Sequence, residues 1–286
     1  MLTARLRTVQ WLSPTGLKQL GYREWGDEDN PRVLLCVHGL TRVSEDFDTL
    51  AQALSATHRV IAADMPGRGR SDWLEQGALY AVPTYVSACV ALVARANAEH
   101  LDWLGTSMGG LIGMAYASMP GCPIKTLMLN DVGPSLDLAA LQRIGQYVGK
   151  SPVFLDKASA RAAIRSISTP FGPHSEAQWN QLCDSVLVQR NGGWTTHYDP
   201  KIGEAFQTMT AETVAASEAM LWAAWEAITA KTLVIRGEHS DLLSKATCQA
   251  MQSRGPKAEC VEIPGVGHAP TFMQDDQIDI IRRFLA

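Results

Sequence analysis

Gly105-Thr106-Ser107-Met108-Gly109-Gly110 follows the apolar stretch Leu101 to Leu104 and leads into Leu111, so a serine stands between glycines two residues away on either side. This is the G-x-S-x-G pattern of a nucleophile elbow. A strand that turns abruptly into a helix forces the serine at its apex into a strained backbone conformation and leaves no room for side chains at the flanking positions, which glycine relieves. The hydroxyl is then held at the carboxyl end of a sheet, where the first N–H groups of the helix can hold an anion. The surroundings agree. Leu111, Met114, Ala115 and Ser118 recur at helical spacing, and Pro120 falls just past the last turn.

Working outward, apolar segments of strand length alternate with helical patterns. The strand segments are Val33 to Val37, Val60 to Ala63, Leu101 to Leu104, Thr126 to Leu129, Thr232 to Ile235 and Val261 to Ile263. Helices are expected over Phe47 to Ser55, Val82 to Ala98, Leu111 to Met119, Lys245 to Ser253 and Asp275 to Leu285. Such alternation predicts a parallel sheet with helices on both faces. Arg5 to Trp11 and Lys18 to Trp25, around Ser13-Pro14-Thr15-Gly16, read as an antiparallel hairpin at one sheet edge. From about Gly133 to Ala230 the alternation stops and helical patterns dominate: Leu136 to Val148, Lys157 to Ile167, Glu176 to Val188 and Glu212 to Ile228. The chain therefore divides into a first core part (1–132), a helical insertion (133–230) and a second core part (231–286). The insertion carries Trp179, Trp194, Trp222 and Trp225 with Phe154, Phe171 and Phe206, read chiefly as packing residues, with a minority available to wall an apolar pocket.

Composition narrows the function classes. With 286 residues, 46% hydrophobic and 19% charged, the chain can bury one large α/β core plus an insertion. A formal net charge of −4 supplies no basic field for nucleic acid and no polybasic strip for a membrane. No apolar run approaches the roughly 18 residues that span a bilayer, so the expectation is a soluble, cytoplasmic protein without a membrane span. The six cysteines, Cys36, Cys89, Cys122, Cys183, Cys248 and Cys260, form no C-x-x-C pair and have no histidine at ligand spacing. Reduced structural thiols are expected, and zinc is not.

A serine is a poor nucleophile until a base takes its proton, and the base needs a carboxylate to orient it. Of seven histidines, His268 stands out in Gly265-Val266-Gly267-His268-Ala269-Pro270, between the last strand segment and the terminal helix. Loops at the carboxyl ends of parallel strands are where such sheets place their sites. Three acids compete for the orienting role. Asp241 and Glu238 lie in Arg236-Gly237-Glu238-His239-Ser240-Asp241, after the strand Thr232 to Ile235, while Asp131 closes the strand Thr126 to Leu129 and can reach the histidine from one strand nearer.

His38-Gly39, the turn Asp64-Met65-Pro66-Gly67-Arg68-Gly69-Arg70-Ser71-Asp72, the elbow Gly105 to Gly110, Gly237 to Asp241, and Gly267-His268 fall in the order and approximate spacing of one family. Over essentially its whole length the chain resembles the α/β-hydrolase superfamily. The resemblance implies a mostly parallel sheet of about eight strands with helices on both faces and a helical cap inserted after strand 6. It implies the chain order Ser, Asp, His, which favours Asp241 as the acid beside Ser107 and His268. Leu40, in the turn His38-Gly39-Leu40-Thr41-Arg42, and Met108, after the serine, are then the backbone N–H donors of an oxyanion hole. His38 reads as a loop-shaping residue and the Asp64 to Gly69 segment as a structural turn.

Serine at the apex excludes the family's aspartate-dependent dehalogenases and epoxide hydrolases. Ring-cleavage C–C hydrolases share Ser-Met-Gly-Gly but commonly carry Asn before the serine and Trp after the histidine, where this chain has Thr106 and Ala269. The expected activity is therefore hydrolysis of carboxylic esters of small to medium, largely apolar substrates through an acyl-enzyme, with no metal or organic cofactor. A C–C hydrolase or enol-lactonase on the same residues is the nearer alternative, and a noncatalytic small-ligand receptor the more remote one. Acyl length, alcohol identity and oligomeric state are not encoded legibly.

Overall fold

The hairpin expected at the start of the chain forms from Arg5–Ser13 (β1) and Gly16–Trp25 (β2), paired antiparallel. The structure is a computed structural model that describes residues 3–98 and 100–286. Strands Val33–Val37 (β3), Arg59–Ala63 (β4), Leu101–Thr106 (β5) and Ile124–Asn130 (β6) follow. A short hairpin, Leu187–Arg190 (β7) and Gly193–Thr196 (β8), precedes Lys231–Gly237 (β9) and Glu259–Ile263 (β10). Eight strands make one sheet in the order β1-β2-β4-β3-β5-β6-β9-β10. From β4 to β10 the pairings are parallel, and β2 joins β4 antiparallel.

Period-two alternation explains the two cores. All five residues of β3 are buried. Val33, Leu35 and Val37 meet one apolar layer, together with Trp103 of β5 and helices Val82–Ala96 (α2) and Met108–Ala117 (α3). Leu34 and Cys36 meet the other, beside Asp48–Leu54 (α1) and Asp275–Leu285 (α10). Helix Lys245–Ser253 (α9) lies between β9 and β10 in sequence, with its bounds where the periodicity put them.

Between β6 and β9 the chain leaves the main sheet and forms Leu138–Gly145 (α4), Lys157–Ser168 (α5), Glu176–Asp184 (α6), the β7–β8 hairpin, Glu204–Gln207 (α7) and Ala211–Ala227 (α8). The helix expected over Glu176 to Val188 thus stops at Asp184. Asn191 and Gly192, both at positive φ (54° and 77°), form the two-residue turn of the hairpin that follows, a geometry that Asn-Gly supplies at little cost. No described helix is long and apolar enough to cross a membrane.

Candidate active site

Ser107 sits between β5 and α3 at φ 52° and ψ −115°, outside the ordinary helical and extended regions. The flanking glycines are sterically required. A Cβ on Gly105 would fall 2.2 Å from the Gly109 carbonyl oxygen, and one on Gly109 would fall 2.0 Å from that of Val37. The helix therefore begins at Met108, three residues before the first helical-period apolar residue, because Gly109 and Gly110 are helical for reasons of close approach rather than propensity.

Next to the elbow, β6 ends in Asn130-Asp131. The Asn130 carbonyl accepts the Ser107 N–H at 2.9 Å, and its side-chain amide donates to Thr106 Oγ1 at 3.0 Å and to the Pro270 carbonyl at 2.8 Å. One residue thus ties the elbow to the loop that carries His268. There, His268 Nε2 lies 2.9 Å from Ser107 Oγ and His268 Nδ1 lies 2.7 Å from Asp131 Oδ2. Ionised carboxylates only accept, so the imidazole donates from Nδ1 and leaves Nε2 free to accept from the serine hydroxyl.

Asp241, expected from the chain order to meet the histidine, is not the carboxylate bonded to it. Asp241 is about half exposed and ion-paired with Arg143 of α4, with no bond to the histidine among the described residues. The carboxylate beside His268 is Asp131: its side chain is fully buried and also accepts the Gly237 N–H at 2.9 Å and the Ser240 hydroxyl at 2.6 Å. The end of β9 therefore contributes an N–H, and the loop after it a hydroxyl, to this carboxylate. Glu238 is a surface residue that accepts the Gly265 N–H at 2.9 Å. Asn130, Asp131 and Ser240 carry little periodic signal; the one hint was two polar residues closing a buried strand.

Leu40 and Met108 both line the cavity that holds Ser107 and His268. Neither main-chain N–H donates to any acceptor among the described residues, which leaves both available to a ligand oxygen. His38 shapes their turn: its Nε2 accepts the Met65 N–H at 2.9 Å, and Nδ1 donates to the Gly39 carbonyl at 2.7 Å. Burial pulls its pKa down to about 3, so it is a neutral acceptor. His197, after β8, is similarly lowered to about 3, first by burial and then by Arg42 and Arg68; its Nδ1 accepts the Gly69 N–H at 2.9 Å.

These two buried histidines, with His58, which burial lowers to about 4, set an acid limit on stability. Unfolded, each binds a proton from about pH 6.5 downward; folded, His38 and His197 do so only near pH 3 and His58 near pH 4. Stability is therefore expected to fall as pH drops through that window, by about 1.4 kcal/mol per pH unit for each histidine. Asp48, raised to about 6 chiefly by burial, acts in the opposite sense. Thermal melts from pH 7 to pH 4.5 check this. His197→Asn, which keeps an acceptor without titrating, should flatten the dependence, and an unchanged slope would refute it.

The cavity lies between the carboxyl ends of the central strands and the residues of the β6–β9 segment, with a volume of about 450 Å³, within the usual range for small-molecule sites. Phe154, Phe171 and Phe206 line it, whereas none of the four tryptophans of that segment does. Trp222 and Trp225 instead donate their indole N–H groups to Ser135 Oγ at 2.9 Å and to the Arg254 carbonyl at 3.0 Å. Apart from histidines, three ionisable groups that carry charge at neutral pH line the cavity: Arg42, Asp46 and Lys150. Arg42 and Asp46 satisfy each other through two bonds of 2.7 and 2.6 Å. Lys150 has no carboxylate within salt-bridge distance among the described residues.

Comparison with known proteins agrees with this architecture. The chain is 49% identical to the 3-hydroxybutyrate-oligomer hydrolase of Cupriavidus necator over 98% of its own length and 97% of that protein's. Among solved structures, a Rickettsia typhi protein superposes with a TM-score of 0.89 at 33% identity, covering 98% of both chains. An alpha/beta hydrolase from Novosphingobium aromaticivorans superposes at 0.85 with 35% identity, over 100% of this chain and 99% of that one. The sequence signature of the alpha/beta hydrolase family matches residues 34–280. The chain belongs to the alpha/beta hydrolase family.

Proposed function

We propose that this hydrolase cleaves short oligomeric esters of 3-hydroxy acids, with Ser107 as nucleophile, His268 as general base and acid, and Asp131 as the orienting carboxylate. The continuous bonding from Ser107 Oγ through His268 to Asp131 carries the mechanistic reading. The serine proton passes to His268 Nε2 as Oγ attacks the ester carbonyl, and the imidazolium is steadied by Asp131. The oxyanion of the tetrahedral intermediate accepts from the Leu40 and Met108 N–H groups, in a site that Asn130 holds in register. His268 returns the proton to the departing alcohol, then takes one from water as that water attacks the acyl-enzyme. Residues 133–230 serve as the cap that closes the acyl cavity.

Substrate class is supported by the 49% identity to the 3-hydroxybutyrate-oligomer hydrolase and by the character of the cavity. It is apolar, it suits a chain of a few hydroxybutyryl units, and Lys150 is its one charged group without a counter-ion among the described residues. An ester oligomer of hydroxy acids ends in a carboxylate, which an unpaired ammonium can hold by a charge-assisted hydrogen bond. Six cysteines without disulfide partners suit a reducing compartment such as the cytoplasm.

Incubation with 3-hydroxybutyrate dimer and trimer, followed by chromatography, should yield the free monomer, with an enol-lactone and a dienoate assayed alongside. Turnover of either of those in preference to the oligomers would overturn the assignment. Lys150→Gln should raise KM for the anionic trimer about tenfold, consistent with one charge-assisted bond, and leave KM for uncharged p-nitrophenyl butyrate within about twofold. An equal change on both esters would remove Lys150 from substrate recognition.

A further inference from the structure

The segment Asp64 to Gly69, which the sequence reads as a structural turn, places an arginine where a charge is hard to explain. Arg68 is fully buried. No carboxylate lies within salt-bridge distance of it among the described residues. Burying a cation without a counter-ion is costly, so its neighbours must compensate or the residue must serve another end. The neighbours are specific. Nε donates to the Leu40 carbonyl at 2.8 Å, and Nη2 lies 3.5 Å from Met108 Sδ. Nη1 donates to the Pro66 carbonyl at 2.8 Å and to the Tyr85 hydroxyl at 2.6 Å. The guanidinium carbon stands 5.7 Å from the Tyr80 ring centroid and 5.2 Å from that of Tyr85, distances at which aromatic faces attract a cation.

Two of these contacts go to the two cavity-lining residues whose main-chain N–H groups have no acceptor among the described residues. Leu40 comes from the loop after β3 and Met108 from the start of α3, turns that the β3–β5 pairing sets side by side, and Arg68 adds a contact to each. Its Nε bond fixes the Leu40 carbonyl and with it the backbone of the turn. Its charge also reaches that turn, since it disfavours protonation of His38, two residues before Leu40. In a dry interior a fixed positive charge acts strongly on any negative charge that develops nearby.

We propose that Arg68 is the positioning residue of the oxyanion hole: it clamps Leu40 and Met108 in the spacing that a tetrahedral oxyanion needs and sets an unneutralised positive charge behind them. This rests on the Ser107 mechanism of the preceding subsection. The role is realised only when charge develops on the substrate oxygen, so it belongs to kcat more than to ground-state binding.

The test replaces Arg68 by Met, which keeps length and apolar packing, and by Lys, which keeps charge but not the fork. On p-nitrophenyl butyrate, Arg68→Met should lower kcat about 100-fold, the scale of losing an oxyanion donor, with KM within about threefold. Arg68→Lys should recover part of that loss. Affinity for butylboronic acid, which adds to Ser107 as a tetrahedral anion, should fall in parallel with kcat/KM. A folded Arg68→Met protein with wild-type kcat, or one whose kcat falls while boronate affinity holds, would overturn the proposal. Should Arg68→Met fail to fold, Tyr85→Phe removes a single hydroxyl partner and should still lower kcat and boronate affinity severalfold; no change in both would equally overturn it. Failure of the hydrolase reading looks different: the wild-type protein would then neither turn over the ester nor bind the boronate.

Discussion

Ser107→Ala is expected to reduce kcat on short esters by about 10⁶-fold, the scale seen when a serine hydrolase loses its nucleophile, while leaving the folded protein intact. The strained backbone at φ 52° is imposed from both sides, by Gly105 against Gly109 and by Gly109 against Val37, and does not depend on the hydroxyl. Removing Oγ breaks one bond, to His268 Nε2, and places a methyl group in a cavity that is already largely apolar. The expected readout is therefore near-complete loss of p-nitrophenyl butyrate hydrolysis with a melting temperature within a few degrees of wild type. Wild-type turnover in the alanine variant would place the chemistry elsewhere.

A comparably large effect is expected from Asp131→Asn and a negligible one from Asp241→Asn. Asparagine at 131 can present its amide N–H₂ to His268 Nδ1, which reverses the tautomer and removes the free acceptor at Nε2. A loss of about 10⁴-fold in kcat is expected, the scale observed for that change in a serine protease. The same substitution also disturbs the bonds from Gly237 and Ser240, so some loss of stability accompanies it. Asp241, by contrast, holds an exposed ion pair with Arg143. Such pairs contribute about 0–1 kcal/mol, and Asp241→Asn should keep kcat within about twofold of wild type. Steady-state kinetics on the pair of variants, with folding checked by circular dichroism, decide between the two acids; the reverse ranking would restore Asp241.

Chain order alone does not separate Asp131 from Asp241. The order Ser, Asp, His holds for Asp131 as well as for Asp241, because both lie between Ser107 and His268 in the chain. What separates them is three-dimensional: Asp131 adopts φ 56° and donates its N–H to the Ile235 carbonyl at 2.7 Å, which places it at the end of β6 facing the histidine loop. Nothing in spacing reports that. The elbow and His268 were legible because steric need forces glycine into fixed places around the serine and because loops at strand ends carry sites in parallel sheets. Val33–Val37, Lys245–Ser253 and Asp275–Leu285 were legible in full because their apolar periods are set by burial on one or two faces. The β7–β8 hairpin was not, since four-residue strands hardly establish a period, although Asn191-Gly192 marks its turn. Arg68 is illegible for a related reason: a glycine-rich turn has no period to report burial, and only its packing shows it enclosed by Leu40, Met108, Tyr80 and Tyr85.

The central claim, that ester hydrolysis proceeds through Ser107, is tested most directly by covalent labelling of the unaltered protein with an alkyl fluorophosphonate, followed by intact-mass measurement and peptide mapping. The account predicts one phosphonyl group per chain, located on the peptide containing Ser107, with esterase activity lost in proportion to labelling. Full activity in fully labelled protein, or inactivation with the label on a residue other than Ser107, would contradict it.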